Sequence, residues 1–214
     1  MITRNQESRV PHRRRPRVSH EPLHVTLHLI DRLPNLRNHR EHRLIVGAIR
    51  KCQERFGCRV FGYCVLSNHL HVLIEAVNES TLAQAMKGLE VRIARGLNKL
   101  WQRKGSIFRE RFHGRVLKTL KDIHRAVRYV IQNGRKHGVP MPKDQPDPCS
   151  SGPWYRYWQG REGQPFRTDD CPVAKPQTMY VEMACSRFPI GLDELPMRRE
   201  NWLDEEHLEV LLGV

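Results

Sequence analysis

The sequence predicts an α+β fold with the element order β-α-β-β-α-β-α. Four short segments alternate apolar and polar residues, as half-buried strands do, and three longer segments repeat apolar residues every three or four positions, as amphipathic helices do. A short Ser67-Asn68 link between the second and third alternating segments indicates an antiparallel hairpin. This is the order of a split β-α-β unit. We therefore predict a ferredoxin-like antiparallel sheet, with helices on one face and one added helix at the end.

The first half of the predicted fold consists of a strand and a helix. Residues 24–30 form the strand, whose alternation puts His24, Thr26 and His28 on one face and aliphatic residues on the other. A helical pattern then covers residues 44–56, and Gly57 ends it.

The second half begins with the predicted hairpin. Its strands are residues 60–66 and a histidine-bearing segment that starts at His69. A long helix over residues 80–101, a strand over 114–118 and a last helix over 120–133 complete the pattern.

Three regions differ in composition. Residues 1–21 form a basic N-terminal arm with too little apolar surface to fold alone, and residues 22–138 form the domain. Residues 139–214 are Pro-rich, and we expect an extended tail that wraps the domain. Aromatic residues of this tail either stack on unpaired bases or pin the tail to the sheet; they are Trp154, Tyr155, Tyr157 and Trp158.

The charge balance indicates a polyanionic partner. The chain has 37 basic and 23 acidic residues, a net charge of +14, which favours nucleic acid first and an acidic membrane second. No segment approaches the about 20 apolar residues that span a bilayer. The N-terminus is not a secretory signal, and the six cysteines lack zinc-ribbon spacing, so we expect a cytoplasmic protein with reduced thiols.

Two histidines on the predicted third strand form the first half of a candidate site. His69 and His71 are one residue apart, so they point to the same face of the strand. Two neutral imidazoles so placed can share a divalent metal ion, or they are polar residues at the solvated start of a half-buried strand. If Glu75 on the same face joined them, a zinc hydrolase would also be possible.

The last helix supplies the second half of the candidate site. Tyr129 and Asn133 lie one turn apart on a flank of its apolar stripe, whereas Gln132 lies nearly opposite that stripe and is expected to face solvent. A metal held by the two histidines and Asn133 would polarise a phosphodiester that Tyr129 attacks. Alternatively, Tyr129 serves only in packing.

These segments resemble the single-tyrosine HUH transposases, and among them the REP-associated tyrosine transposases. The hairpin Phe61-Gly62-Tyr63-Cys64-Val65-Leu66-Ser67-Asn68-His69-Leu70-His71 and the helix segment Arg128-Tyr129-Val130-Ile131-Gln132-Asn133 carry the resemblance. His24-Val25-Thr26 and the loop of residues 105–115 also match. The chain departs from the family at Ser67 and Gly134, where the family often has proline.

The resemblance implies a metal-dependent transposase that uses Mg²⁺ or Mn²⁺. It implies that Tyr129 cuts single-stranded, hairpin-bearing DNA and keeps a 5′-phosphotyrosine, with His69, His71 and Asn133 as metal ligands. The active unit is a monomer or a homodimer, with no obligate protein partner. A non-cleaving DNA-binding protein derived from such an enzyme is the alternative. The residues predicted to contact DNA are Arg13, Arg14, Arg15, Arg17, Arg92, Arg95, Lys99, Arg103, Arg109 and Arg111.

Overall fold

A four-stranded antiparallel sheet is the centre of the fold. The computed structural model describes residues 18–53 and 57–193. The strands are β1 (Pro22–His28), β2 (Cys58–Val65), β3 (His69–Ala76) and β4 (His113–Val116). They lie in the order β2-β3-β1-β4, which confirms the predicted ferredoxin-like sheet and the β2–β3 hairpin.

The strand register places histidines of two strands side by side. β1 lies between β3 and β4, and it pairs antiparallel with both. Thr26 is directly opposite His71, and His28 is directly opposite His69. Side chains on directly opposed positions share a face, so one face of the sheet carries a row of imidazoles.

Helices cover both faces of the sheet. α1 (His39–Arg50) and α2 (Glu79–Leu100) pack on one face, against Leu70, Val72 and Ile74 of β3. α3 (Leu120–Ile131) packs on the opposite face with Leu73, together with α5 (Met179–Arg187). The predicted placement of helices on one face therefore holds for α1 and α2, while α3 lies on the histidine face. The apolar stripe of α3 requires a surface to bury, and β3 offers Leu73 there.

The first helix is shorter at its end than predicted. α1 ends at Arg50, not at residue 56 before Gly57, and Phe56 lies outside the described residues. The side chain of Gln53 explains the early end, because it forms two hydrogen bonds with the backbone of Val60, at 2.9 and 3.0 Å. These bonds hold the turn after α1 against β2.

The last helix is also interrupted. α3 begins after Thr119, whose side chain accepts a hydrogen bond from the Asp122 amide. It ends at Ile131, and a single further turn, α4 (Asn133–Lys136), follows the non-helical Gln132. α1 begins at His39, earlier than the predicted start at residue 44, and the other boundaries differ by one or two residues.

The tail packs on the domain over its described residues. Trp158, Val181, Ala184 and Ile190 are buried in the same apolar cluster as α3. Asp147, whose side chain is fully buried, forms an ion pair with Arg37 at 2.8 Å. Removing one partner of such a buried pair costs about 3–5 kcal/mol, so this contact fixes the tail beside β2. Within residues 18–53 and 57–193, every helix is too short or too polar to cross a bilayer.

Candidate active site

The two histidines of β3 begin the candidate site. The ring centroids of His69 and His71 are 5.0 Å apart, with the rings nearly perpendicular. His71 is buried, with 4% of its surface exposed, whereas His69 is partly exposed. His69 therefore lies at the solvated end of β3, and His71 lies in the protein interior.

His69 is held as a neutral imidazole. Its Nδ1 lies 2.8 Å from the side-chain oxygen of Asn68. Its ring stacks on His28 at 5.0 Å and contacts His137 at 5.4 Å. Burial, together with His28 and His137, lowers the pKa of His69 to about 4. A neutral ring that donates from Nδ1 keeps its lone pair on Nε2, the form that binds metal ions.

Tyr129 of α3 lies beside the buried histidine. Its ring centroid is 5.3 Å from that of His71 and 5.6 Å from that of His24. Lys136 of α4 extends over the same ring, with its Nζ 4.6 Å from the centroid. The structure therefore brings the sequence-predicted tyrosine and histidine pair together, with a cation next to the phenol.

Asn133 is buried between two residues that reach the histidines. It has no exposed surface, and neither atom of its side-chain amide has a hydrogen-bond partner within the described ranges. Tyr129, one turn before it, contacts His71, and His137, one turn after it, contacts His69. An unsatisfied buried amide costs about 1–3 kcal/mol. Its oxygen is a suitable ligand for Mg²⁺ or Mn²⁺, so the donor set fits a divalent ion.

Gln132 does not face solvent, and that prediction was wrong. Only 2% of its surface is exposed, and its Nε2 donates a hydrogen bond to the carbonyl of Gly191. The prediction assumed a continuous helix with a solvated outer side. Instead, α3 ends at Ile131, and the tail covers that side.

The carboxylate of Glu75 has other hydrogen-bond partners, which argues against the zinc hydrolase alternative. Its buried carboxylate accepts hydrogen bonds from the backbone amides of Gln177 and Thr178, at 2.7 and 2.9 Å. In the part of the chain that the structure describes, no three His, Cys, Asp or Glu side chains converge as a metal site. Glu75 therefore anchors the tail, and the amide of Asn133 is the better third donor.

The predicted DNA-contacting residues separate into three places. Arg95 and Lys99 of α2 are exposed and Arg92 and Arg103 partly so, on the side of the sheet opposite the histidines. Arg109 and Arg111 are exposed in the loop beside the histidine row. The Arg109 amide donates to the His28 carbonyl at 3.0 Å, and its guanidinium is 2.6 Å from Asp31. The remaining predicted residues, Arg13, Arg14, Arg15 and Arg17, lie outside the described residues.

Two exposed arginines of α1 extend the basic surface of α2. Leu44 of α1 packs closely against Gly96 of α2. A β-carbon added at Gly96 would lie 2.7 Å from a carbon of the Leu44 side chain. Arg40 and Arg43, next to this contact, are exposed. We call the surface formed by Arg40, Arg43, Arg95 and Lys99 the helical basic face. Sequence reasoning missed its α1 members, because only the packing of the two helices makes them neighbours.

Several residues of the site were not predicted. His24, Thr26 and His28 were assigned to one face of β1, and His24-Val25-Thr26 was part of the family resemblance, but none of the three was predicted to contact the histidines of β3. Lys136 and His137 follow Asn133 in the unpredicted turn α4. The aromatic tail residue Trp158 is buried and donates from its ring nitrogen to Gly152 at 3.0 Å. It therefore pins the tail and is not free to stack on a base.

Comparison with known proteins agrees with the ferredoxin-like fold. Residues 18–133 match the family described as transposase IS200-like. A solved structure of a REP-associated tyrosine transposase bound to a REP hairpin is similar, with a TM-score of 0.57 and 18% identity over 78% of this chain and 98% of that one. At this identity the likeness supports the fold. No protein with a curated description matches the chain.

The family match and the ferredoxin-like sheet define the class of this protein as a transposase. Because the match covers more than half of its length, the chain belongs to the IS200-like transposase family.

Proposed function

We propose that this protein cuts and rejoins hairpin-bearing single-stranded DNA through a covalent 5′-phosphotyrosine on Tyr129. The observation that carries the proposal is the contact between the rings of Tyr129 and His71, at 5.3 Å. A phenol beside a pair of histidines and an unpartnered buried amide suits metal-assisted attack on phosphorus.

Each side chain has a separate role in the proposed reaction. His69, His71 and Asn133 hold a divalent ion, Mg²⁺ or Mn²⁺, which would polarise the scissile phosphate when bound. The Oη of Tyr129 loses its proton to solvent and attacks phosphorus. The bond to the 3′-oxygen breaks, and that oxygen takes up a proton to become a free 3′-hydroxyl.

Rejoining is the same reaction in reverse with a different strand. A 3′-hydroxyl attacks the phosphotyrosine and loses its proton, and the phenol of Tyr129 leaves and is protonated again. One phosphodiester is lost and one is formed, so transfer requires no external energy source.

Charge supports DNA as the substrate. The helical basic face and the loop with Arg109 and Arg111 lie on different sides of the sheet. We propose that the loop guides the single strand to the histidines, while the helical basic face contacts the phosphates of the flanking hairpin stem.

The decisive experiment uses labelled single-stranded hairpin DNA with Mg²⁺ or Mn²⁺. We expect a covalent protein–DNA band on a denaturing gel, its loss in Tyr129→Phe, and its persistence in the control Tyr180→Phe. Tyr180 is a suitable control because it is 60% exposed on α5. Equal cleavage by wild type and Tyr129→Phe would exclude the tyrosine mechanism. Salt-sensitive binding without cleavage in either would support the non-cleaving alternative.

A further inference from the structure

His71 has two polar neighbours on the strand next to its own. Its Nδ1 lies 3.0 Å from Nε2 of His24 and 3.2 Å from the hydroxyl of Thr26. All three residues are buried, with 2% to 6% of their surfaces exposed. Both neighbours come from β1, and Thr26 is directly opposite His71 in the strand register.

We propose that His24 and Thr26 are positioning residues, which fix the tautomer and the ring orientation of His71 so that its Nε2 faces the metal site. This inference rests on the proposed function, because it assigns His71 as a metal ligand. Groups that hydrogen-bond the second nitrogen of a ligand histidine commonly set its orientation and its basicity.

The chemistry of imidazole limits the arrangement. A neutral ring has one N–H and one lone pair, on different nitrogens. If Nδ1–H of His71 donates to His24 or Thr26, the lone pair is on Nε2 and can bind a metal ion. If His24 donates to Nδ1 instead, His71 carries its proton on Nε2 and cannot be a ligand. Metal binding through Nε2 therefore requires His24 or Thr26 to accept the hydrogen bond from Nδ1 of His71.

His69 also has a hydrogen-bond acceptor at its Nδ1, but from a different partner. Nδ1 of His69 lies 2.8 Å from the side-chain oxygen of Asn68, which can only accept. That bond leaves the lone pair on Nε2 of His69. Both histidines of β3 thus have an acceptor available at Nδ1, one from the preceding residue and one from across the sheet.

His24 also contacts the nucleophile. Its ring centroid is 5.0 Å from that of His71 and 5.6 Å from that of Tyr129. Loss of His24 could therefore slow cleavage by moving either neighbour. The test must for this reason measure the tautomer and the metal affinity of His71 separately from cleavage.

The first measurement is the tautomer of His71 in the metal-free full chain, by long-range ¹H–¹⁵N NMR of the histidine rings. The His71→Ala variant assigns the signal. We expect an Nδ1–H tautomer in the wild type and a mixture in the double variant His24→Phe/Thr26→Val. A wild-type His71 protonated on Nε2, or an unchanged tautomer in the double variant, would overturn the inference.

The second measurement is Mn²⁺ affinity, from the free-ion signal in electron paramagnetic resonance. We expect the double variant to bind Mn²⁺ about 10–100-fold more weakly than wild type. His24→Gln restores an acceptor and should recover most of the affinity. His39→Phe is the matched control, since His39 is an exposed imidazole at the start of α1, which packs on the other face of the sheet.

The outcomes separate the two proposals. A wild type that binds no Mn²⁺ contradicts the metal site of the proposed function. A wild type that binds Mn²⁺, with a double variant that binds equally well, contradicts only the role of His24 and Thr26. Thermal unfolding shows whether each variant folds. If the double variant does not fold, two other results decide. One is the tautomer of His71 in the wild type, and the other is the Mn²⁺ affinity of Thr26→Val compared with that of Thr26→Ser, because serine keeps the hydroxyl.

Discussion

The charge of Lys136 lies beside the ring of the proposed nucleophile. Its Nζ is 4.6 Å from the ring centroid of Tyr129, and its side chain is exposed. As Tyr129 reacts, negative charge develops on its oxygen and on the phosphate. A cation at this position stabilises that charge more than it stabilises the neutral phenol.

We expect Lys136→Met to slow covalent adduct formation about tenfold, which corresponds to about 1.4 kcal/mol. Lys136→Arg should keep most of the rate, because it keeps the charge. The measurement is single-turnover adduct formation at saturating DNA. Lys175→Met is the control, since Lys175 is an exposed lysine of the tail. A loss of DNA affinity with an unchanged rate would contradict this role.

His124 of α3 makes stability depend on pH. Burial, and then the charge of Arg128, lower its pKa to about 4. The pKa of a histidine in an unfolded chain is about 6.5. Between these values the unfolded chain binds a proton that the folded chain excludes. The free energy of unfolding therefore falls as the pH drops through this window.

In His124→Leu, the free energy of unfolding should decrease with falling pH by about 2 kcal/mol less than in the wild type. This value allows for the partial exposure of His124. Urea denaturation of the metal-free protein at pH 7 and pH 4.5 measures the effect. His113→Leu, an exposed histidine of β4, should retain the wild-type pH dependence. Parallel pH profiles for wild type and His124→Leu would show that His124 does not contribute.

At the level of elements, α2 has two chemically different sides. Its apolar side, which includes Leu89, Ile93 and Leu97, packs in the core. Its outer side carries Arg95 and Lys99, which join Arg40 and Arg43 of α1 in the helical basic face. Because this surface lies across the sheet from Tyr129, changes there should affect DNA binding without disturbing the chemistry.

We expect Arg95→Glu/Lys99→Glu to weaken DNA binding and to reduce the slope of log affinity against log salt by about 2, or about 1 for each phosphate that the protein no longer neutralises. Fluorescence anisotropy at several salt concentrations measures both quantities. The rate of adduct formation at saturating DNA should stay unchanged. An unaltered salt slope would mean that the helical basic face does not bind phosphates. Lys175→Glu provides the control for a change of net charge.

At the scale of the whole molecule, the tail is part of the second apolar cluster. Trp158 has 1% of its surface exposed and lies with Ile131, Val181 and Ile190 against the histidine side of the sheet. Because these residues bury the outer side of α3, the tail helps to hold the helix that carries Tyr129.

We expect Trp158→Ala to destabilise the protein by about 3–5 kcal/mol, the usual cost of removing a buried aromatic side chain. Trp154→Ala should cost clearly less, because Trp154 is only partly buried. Chemical denaturation gives both values. If Trp158→Ala instead left stability unchanged and weakened DNA binding, the base-stacking role of this residue would be correct.

Local patterns alone were enough to predict the sheet and its histidine pair. Alternation along β1 and β3 assigned His69, His71, His24 and Thr26 to faces, because side chains of a strand point to alternate sides. The spacing of Tyr129 and Asn133 was predicted from one continuous helical turn, whereas α3 ends at Ile131 and Asn133 begins α4. The solvent exposure predicted for Gln132 was wrong, because a remote segment covers it.

Local periodicity and composition were enough to establish the order of the elements, the basic charge and the residue types of the candidate site. The tertiary structure added the side-chain contacts across the sheet, by which His24 and Thr26 meet His71. It also decided that α3 lies on the histidine face and that the tail closes over it. Contacts between residues far apart in the chain depend on how apolar surfaces are buried together, which no local pattern specifies.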